Sequence, residues 1–507
     1  MAVTIYSAQI SGLEARPISV EVDISPGLHI FSIVGLADKE VQEARERISA
    51  AIKNFGALAP HKKSQRVIVN LAPANIKKEG PAFDLPIALG YLLASNQISF
   101  DPQRKLFLGE LGLDGKLRRV PGVLAIALTA SASGFNQIIL PKGNGQEASL
   151  LDNIEIIEAE TLGEVVDFLE ARKELKPLPK TSIDKLQFSY PIDLKDIHGQ
   201  EKPKRALTIA AAGGHNILMS GPPGVGKTIL AQAIPTILPP LSFEESLEVT
   251  KIYSIAGLLD ENRPYIRERP FRNPHHTSSH ISIIGGGAYP RPGEITLSHR
   301  GVLFLDELPE FDRRVIEALR QPLEERKITI ARSRGVQTFP AQFILVCAMN
   351  PCPCGNYGNP VKDCLCTPGA VLKYKKKISG PMLDRIDIHI ETPFVEFDKL
   401  ESKESASSED IKGLVERARA RQKRRFENKG ISLNSEMGIR EIKEFIHLSV
   451  PLRQILKTAH NKYHLSIRSY HRILRLARTI ADLCESTEIQ ELHVSEALSY
   501  RVEERGS

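Results

Sequence analysis

The octapeptide Gly221-Pro222-Pro223-Gly224-Val225-Gly226-Lys227-Thr228 constrains this chain more than any other stretch. It fits the pattern G-x-x-x-x-G-K-[ST] and stands between the apolar run 216–219 and a helix-forming segment. A strand, a glycine-rich turn and a helix in that order aim backbone N–H groups and the positive end of the helix at phosphate oxygens. Lys227 is then placed to bridge the β- and γ-phosphates, and Thr228 to bind Mg²⁺. The runs 216–219, 301–305 and 343–346 are almost continuously apolar, as parallel strands buried on both faces must be.

The second of these runs ends in Asp306 and Glu307. An Asp-Glu pair alone is usually solvated surface. After a phosphate loop and an apolar strand it has a chemical reading. Asp306 is placed to hold Mg²⁺ through its water shell, and Glu307 to orient the water that attacks the γ-phosphate. The sequence therefore predicts an ATPase site using ATP and Mg²⁺.

The rest of the chain sets that site in context. Its 507 residues are 42% hydrophobic and 25% charged, which excludes collagen-like or wholly disordered chains and suggests about three domains. The net charge of +6 permits a polyanionic partner without demanding one. With no Trp and 6% aromatics, base-stacking platforms are sparse. No segment approaches the ~18 apolar residues of a membrane span, and the start lacks the pattern of a signal peptide. A cytoplasmic protein without membrane partners is expected. Strand-like 65–71 and 136–141 and helix-like 83–95 alternate in the first part. The Ser- and Glu-rich stretch 401–410 precedes helical patterns such as 469–484.

Further segments carry a specific resemblance: Asp196-Ile197-His198-Gly199-Gln200, Arg291-Pro292-Gly293-Glu294-Ile295, 301–308, 348–355, Leu383-Asp384-Arg385-Ile386-Asp387 and Ser466-Ile467-Arg468-Ser469-Tyr470. With the phosphate loop, and in this order, they resemble the magnesium-chelatase-like AAA+ ATPases of the YifB and competence protein ComM family. The resemblance implies an α/β chain with an S5-like, Lon-proteolytic-domain-like α+β domain at 1–171 and a linker at 172–185. An AAA+ P-loop core follows at 186–395 with a Cys-rich loop at 352–366, then a connector at 396–410 and an α-helical lid at 411–507. It implies that Asn350 is the sensor-1 amide that helps position the attacking water. Arg385 corresponds to an arginine finger directed at a neighbouring subunit's nucleotide, and Arg468 to the sensor-2 arginine of the lid. The segment containing Ile197 would contact adenine, and the assembly would be a homo-hexamer.

Four cysteines, Cys352, Cys354, Cys364 and Cys366, form two C-x-C pairs on a Gly- and Pro-rich loop. They suit a tetrahedral structural Zn²⁺, with free thiols or disulfides as the alternatives. His275, His276 and His280 cluster without a metal-binding helix motif. The resemblance makes their segment a pore-facing insertion. The stretch 327–336 reads as a hairpin with a basic tip; the resemblance implies that it projects into the central channel of a ring, which makes Arg332 and Arg334 candidates for DNA phosphate contact, with a solvated hairpin as the alternative. Basic runs at 373–377 and 417–425 have the same two readings. In the first domain, Lys78-Glu79-Gly80-Pro81-Ala82-Phe83-Asp84 resembles the nucleophile segment of Lon-type peptidases, but Ala82 stands at the serine's place and Leu124 at the lysine's. Without hydroxyl or amine, that chemistry is lost. The leading expectation is a hexameric ATP-driven motor, a helicase or branch-migration enzyme, on single-stranded or branched DNA, as in natural transformation. The rival is a protein-remodelling ATPase like the magnesium-chelatase I subunit.

Overall fold

The computed structural model describes residues 2–180, 190–260, 263–287, 290–332, 335–359, 362–395 and 406–502, with no account of the side chains of Arg332, Gly335 and Val502. It divides into two compact units: residues 1–187 with 246–266, and residues 188–245 with 267–507. The inclusion of 246–266 in the first unit has no signature in the sequence. The segment is held there by the Gly122 N–H donating to the Ser254 carbonyl (3.0 Å) and by the Ser254 hydroxyl donating to the buried Glu147 carboxylate.

The first unit is built on a seven-stranded mixed sheet, in the order Ile30–Val34, Gln65–Ala72, Glu14–Pro26, Val3–Ser11, Lys105–Phe107, Gln137–Pro141 and Glu155–Ala159. Gln65–Ala72 alternates buried and less buried positions, the period of a strand covered on one face. The helix Lys39–Asn54 covers the core with Val41, Ala44, Ile48, Ala51 and Ile52, at helical spacing, and Asp38 caps its start. The helix read at 83–95 runs Asp84–Ala94. Its Asp84 is fully buried and gripped by Arg47 at 2.7 and 3.0 Å, so this carboxylate supports the fold. Leu124 is fully buried, and Ala82 packs against apolar neighbours. Of the stretch 172–180, Leu178 donates its N–H to Ile156 of the same unit (2.9 Å). The remainder of that linker lies outside the described residues.

The second unit is organised by a five-stranded, wholly parallel sheet. Its order is Phe271–Arg272, Val302–Leu305, Ile344–Met349, Ile217–Ser220 and Ile388–Glu391. The apolar runs expected to be buried strands are its middle. Val302–Leu305 and Ile344–Met349 are buried at every position. Helices Glu201–Gly213, Lys227–Ile237 and Ser408–Arg425 pack around the sheet, and Ile467–Leu483 and Glu491–Val502 complete the helical C-terminal region. Ser408–Arg425 begins inside the stretch read as a connector. Ser407 and Asp410 form a reciprocal capping box, which starts the helix despite the polar composition. Residues 396–405 lie outside the described residues. No helix among the described residues is long and apolar enough to cross a membrane.

Candidate nucleotide-binding site

Because all five strands run the same way, their carboxyl ends share one edge, and the candidate residues lie just beyond it. The phosphate loop leaves Ser220, Asp306 follows Leu305, and Asn350 follows Met349. Ligands of open parallel sheets bind at this edge. The loop turns through Gly224 (φ +81°) and Gly226 (φ +90°), a region costly for residues with a Cβ. A Cβ on Gly221 would fall 2.3 Å from the Thr392 carbonyl oxygen, so this first glycine is required by a neighbouring backbone. Gly226 leads directly into Lys227–Ile237, whose N-terminus therefore faces the loop.

Four expected residues meet through side-chain bonds. Lys227 Nζ donates to the carbonyls of Gly221 (2.7 Å) and Pro222 (2.8 Å) and to Asn350 Oδ1 (3.2 Å). Thr228 Oγ1 donates to Asp306 Oδ2 (2.9 Å), bringing together the two residues expected around Mg²⁺. Burial pushes the Lys227 ammonium below the usual lysine range, while Asp306 and Glu307 pull it back. An anion is therefore well matched to the place this amine occupies. Pro223 and Val225 belong to the same loop. Ile197 packs against the core of this unit, and Gln200, three residues on, ties its segment to the loop by donating to the Val225 carbonyl (3.2 Å) and to that of Pro393 (2.8 Å).

Glu307 adopts φ +52°, which turns its side chain out of the strand direction. Its Oε2 lies 3.5 Å from His276 Nδ1, and His276 is flanked by His275 (ring centroids 4.2 Å apart) and Phe311. The histidine cluster thus contributes a neighbour for Glu307. Sequence could have suggested this only through topology, since His276 follows the strand Phe271–Arg272 that pairs with Val302–Leu305.

Arg385 and Arg468 are not brought to the phosphate loop within this chain. Arg385 precedes the strand Ile388–Glu391, at the other edge of the sheet, and bonds Glu324; Arg468 lies 4.0 Å from the same carboxylate.

Three family models match the chain: "Subunit ChlI of Mg-chelatase" over residues 20–144, "Magnesium chelatase, subunit ChlI" over 193–400 and "Magnesium chelatase, subunit ChlI C-terminal" over 405–501. The chain is 43% identical over 504 residues to "Uncharacterized protein YifB" of Escherichia coli (strain K12), covering 99% of this chain and 97% of that one. It is 41% identical over 503 residues to "Competence protein ComM" of Haemophilus influenzae, covering 98% and 97%. The chain belongs to the YifB and ComM family of magnesium-chelatase-like proteins. Membership suggests an AAA+ ATPase, and the mixed α/β fold with its parallel sheet and helical C-terminal region fits. A shorter match, 31% identity over 178 residues, reaches "Lon protease 2" of Bacillus subtilis and spans 31% of each chain.

Immediately after Asn350, the four cysteines of the loop draw together, with all four sulfurs within 4.8 Å of one another. Cys352 to Cys354 is 3.4 Å, and both lie 3.6 Å from Cys364. These spacings approach the ~3.8 Å edge of a tetrahedron with Zn–S bonds of ~2.3 Å. The Tyr357 N–H donates to Cys352 Sγ (3.3 Å), a bond suited to a thiolate. A Cβ on Gly355 would sit 2.8 Å from Pro223, so this loop lies directly against the phosphate loop. The other two cysteines both lie in apolar sequence patterns, which predicts buried thiols; Cys347 is buried in its strand, whereas Cys484 is exposed at the end of its helix, where it is the residue that caps it.

The basic elements divide. Lys327–Arg332 and Gly335–Pro340 form the expected antiparallel hairpin, while the side chain of Arg332 and all of Arg334 lie outside the described residues. The run 417–425 has internal partners. Arg425 bonds buried Asp482 (2.5 and 2.7 Å), Arg419 the Ala211 carbonyl (2.7 and 3.0 Å), and Arg417 Glu485 (2.9 Å). These arginines anchor the helix Ser408–Arg425 to its surroundings.

Proposed function

We propose that the chain is an ATP-hydrolysing, hexameric DNA motor, a helicase or branch-migration enzyme acting on single-stranded or branched recombination intermediates, as in natural transformation. The convergence of Lys227, Thr228, Asp306 and Asn350 on one edge of a parallel sheet carries the ATPase part. Lys227 and the loop N–H groups hold the phosphates. Thr228 and Asp306 hold Mg²⁺, which screens charge on the β- and γ-phosphates. Glu307 orients the attacking water, and Asn350 fixes the γ-phosphate side of the site. Arg385 and Arg468 serve a neighbouring copy's nucleotide, consistent with their distance in sequence and bonding from this chain's own loop. The segment around Ile197 receives the adenine.

The DNA part is supported by the relative named for competence, with Arg332 and Arg334 at the hairpin tip as the DNA-contacting residues. The domain limits at 171, 186, 395 and 411 belong to this reading, with the first domain a catalytically silent S5-like module. Cys352, Cys354, Cys364 and Cys366 would hold a structural Zn²⁺ with no open coordination position. Metal analysis of the purified chain tests this; absence of zinc, with unchanged folding of a Cys352→Ala and Cys364→Ala variant, removes the metal from the proposal.

The deciding experiment measures ATP hydrolysis with single-stranded, duplex and forked DNA, followed by strand separation and branch migration. Stimulation by DNA with movement of a fork is expected. An active ATPase that moves no branched substrate would reject the motor. The family description also supports a second reading, protein remodelling in the manner of a magnesium-chelatase I subunit. Stimulation by a large chelatase subunit instead of DNA would favour it.

A further inference from the structure

The amino-terminal edge of the parallel sheet, away from the phosphate loop, carries a cavity of about 470 Å³. Its lining includes Asn216, Gly301, Phe343 and Asp387, each lying just before a strand of the sheet. Eight arginines line it against four carboxylates.

Each of these carboxylates is already engaged. Glu245 lies 3.0 Å from Arg269 and 3.5 Å from Arg300. Glu324 bonds Arg385, and Glu436 lies 3.0 Å from Arg326. Asp387 lies 3.4 Å from Arg472 and 3.2 Å from His215. Burial would raise Asp387, yet His215, Arg472 and Arg475 hold it well below the usual carboxylate range. It is an anion already claimed.

Arg475 is left with a carbonyl, that of Ser435 at 3.3 Å. Its Nε is buried with no hydrogen-bond partner among the described residues, and the same holds for Nη1 of Arg472 and Nε of Arg385. Burial lowers the Arg475 pKa and Arg472 and Arg326 add to the lowering, while Asp387 opposes it. A guanidinium does not lose its proton under ordinary conditions, so its surplus charge must be met by an anion or by water. Arg468, His471, Arg472 and Arg475 recur at positions i, i+3, i+4 and i+7 of the helix Ile467–Leu483, so its one face supplies several donors.

We propose that this cavity is a second anion site, which takes a phosphate-type oxyanion on Arg472 and Arg475 with Arg326 beside them. The surplus of guanidinium over carboxylate favours a polyvalent anion such as a polyphosphate over a single carboxylate. The volume is that of a small-molecule site, and Leu238, Leu433 and Met437 give it apolar walls beside the charge. As a site for a free polyphosphate it stands independently of the activity proposed at the phosphate loop; as a contact to a neighbour's nucleotide it rests on that reading, because Arg385 and Arg468 of the same lining are the residues proposed there to serve that nucleotide. The oxyanion has two sources: a polyphosphate free in solution, or the nucleotide held by a second copy of the chain.

The test uses the full chain carrying Lys227→Ala, which disables the phosphate loop, and titrates tripolyphosphate calorimetrically and by thermal melting. Binding is expected, with a rise in melting temperature. Adding Arg475→Gln should weaken it by about tenfold or more, the worth of a charge-assisted hydrogen bond. The melting temperature without anion should change little, because the bond Arg475 gives up is the one to the Ser435 carbonyl, while Asp387 keeps Arg472 and His215 as its direct partners. Arg326→Gln, on a separate segment, gives a second variant should the first fail to fold. In the other arm, the Lys227→Ala chain is mixed with an ATP-loaded Glu307→Gln chain and association is followed by sedimentation. ATP-dependent association that Arg475→Gln in the Lys227→Ala chain removes identifies the neighbour's nucleotide as the source. Binding indifferent to both arginine substitutions, or no binding in either arm, overturns the site.

Discussion

The two edges of the five-stranded parallel sheet place charge in different ways. At the carboxyl edge, one lysine, a hydroxyl, an amide and two carboxylates each sit within two residues of a strand end or in the loop that follows it. At the amino edge, eight arginines arrive from separate segments between Arg269 and Arg475 and are matched by half as many carboxylates. The first edge is assembled from short local motifs, whereas the second exists only after the helical C-terminal region has packed on the sheet. On the functions proposed above, catalytic chemistry is concentrated at the carboxyl edge, with the amino edge serving anion binding and stability. Each edge should then respond to substitution through a different observable.

The largest effect is expected from Glu307→Gln. Removing the group proposed to orient the attacking water should lower the ATP hydrolysis rate by about 10²- to 10⁴-fold. The neutral isostere should leave ATP binding intact. Equilibrium binding and steady-state hydrolysis, measured on the same preparation, separate the two. Undiminished turnover would take Glu307 out of the site and blur the distinction between the edges.

Asp387→Asn, at the amino edge, should act on stability. It leaves Arg472, Arg475 and His215 without their shared carboxylate, and loss of one partner of a buried charged network costs about 3–5 kcal/mol. The pH dependence has a definite sign. The folded-state pKa of Asp387 lies below its unfolded value, so its contribution is present above the unfolded value, near 4, and is lost as pH falls through the folded one. Urea unfolding at pH 7 and at pH 3 should therefore show the variant's deficit shrinking toward the acid side. A deficit that is constant with pH would mean that Asp387 acts through packing alone.

Legibility followed the same division. The phosphate loop, Asp306 and Glu307 could be read from residues because a strand end and its following motif are contiguous in the chain, whereas Asn350 was reached only through the family resemblance. The cysteine loop was readable as a ligand set for the same reason. The arginine cavity could not be read: Arg385 and Arg468 stood out only through the family resemblance, and none of its other arginines differs locally from a solvated one. Conversely, 417–425 read as either a polyanion-binding run or a solvated helix, and its contacts with Asp482, Glu485 and Ala211 became visible only in three dimensions. The parallel sheet was legible in continuously apolar runs. The placement of 246–266 with the first unit was not, because the helix Phe243–Ala256 that enters it buries Ser246, Thr250 and Ser254 beside Val249 and Ile252 and so shows no strong apolar face to identify the core it will join.

A smaller effect is expected at His276. Its ring lies 3.5 Å from Glu307, close enough to bias where the carboxylate points without holding nucleotide itself. His276→Ala should lower kcat by about tenfold while KM for ATP stays nearly constant, and His276→Asn should recover part of the loss through its amide. Equal losses in binding and turnover would show instead that His276 merely supports the loop.

The smallest expected change concerns the empty protein carrying Lys227→Met. The ammonium is buried, and its pKa is lowered by that burial, with Asp306 and Glu307 only partly opposing. With a folded pKa below the unfolded one, the charged lysine weighs against stability at neutral pH, and that cost is relieved as pH rises toward the unfolded value. Methionine removes the buried charge but also removes the bonds to Gly221, Pro222 and Asn350. The opposing terms should leave the nucleotide-free stability within ~1 kcal/mol of the original. Saturating Mg-ATP should stabilise the original chain and not the variant, because the amine is the group proposed to meet phosphate. A large loss of stability without nucleotide would make Lys227 a structural residue like Asp387, and the contrast between the two edges would no longer hold.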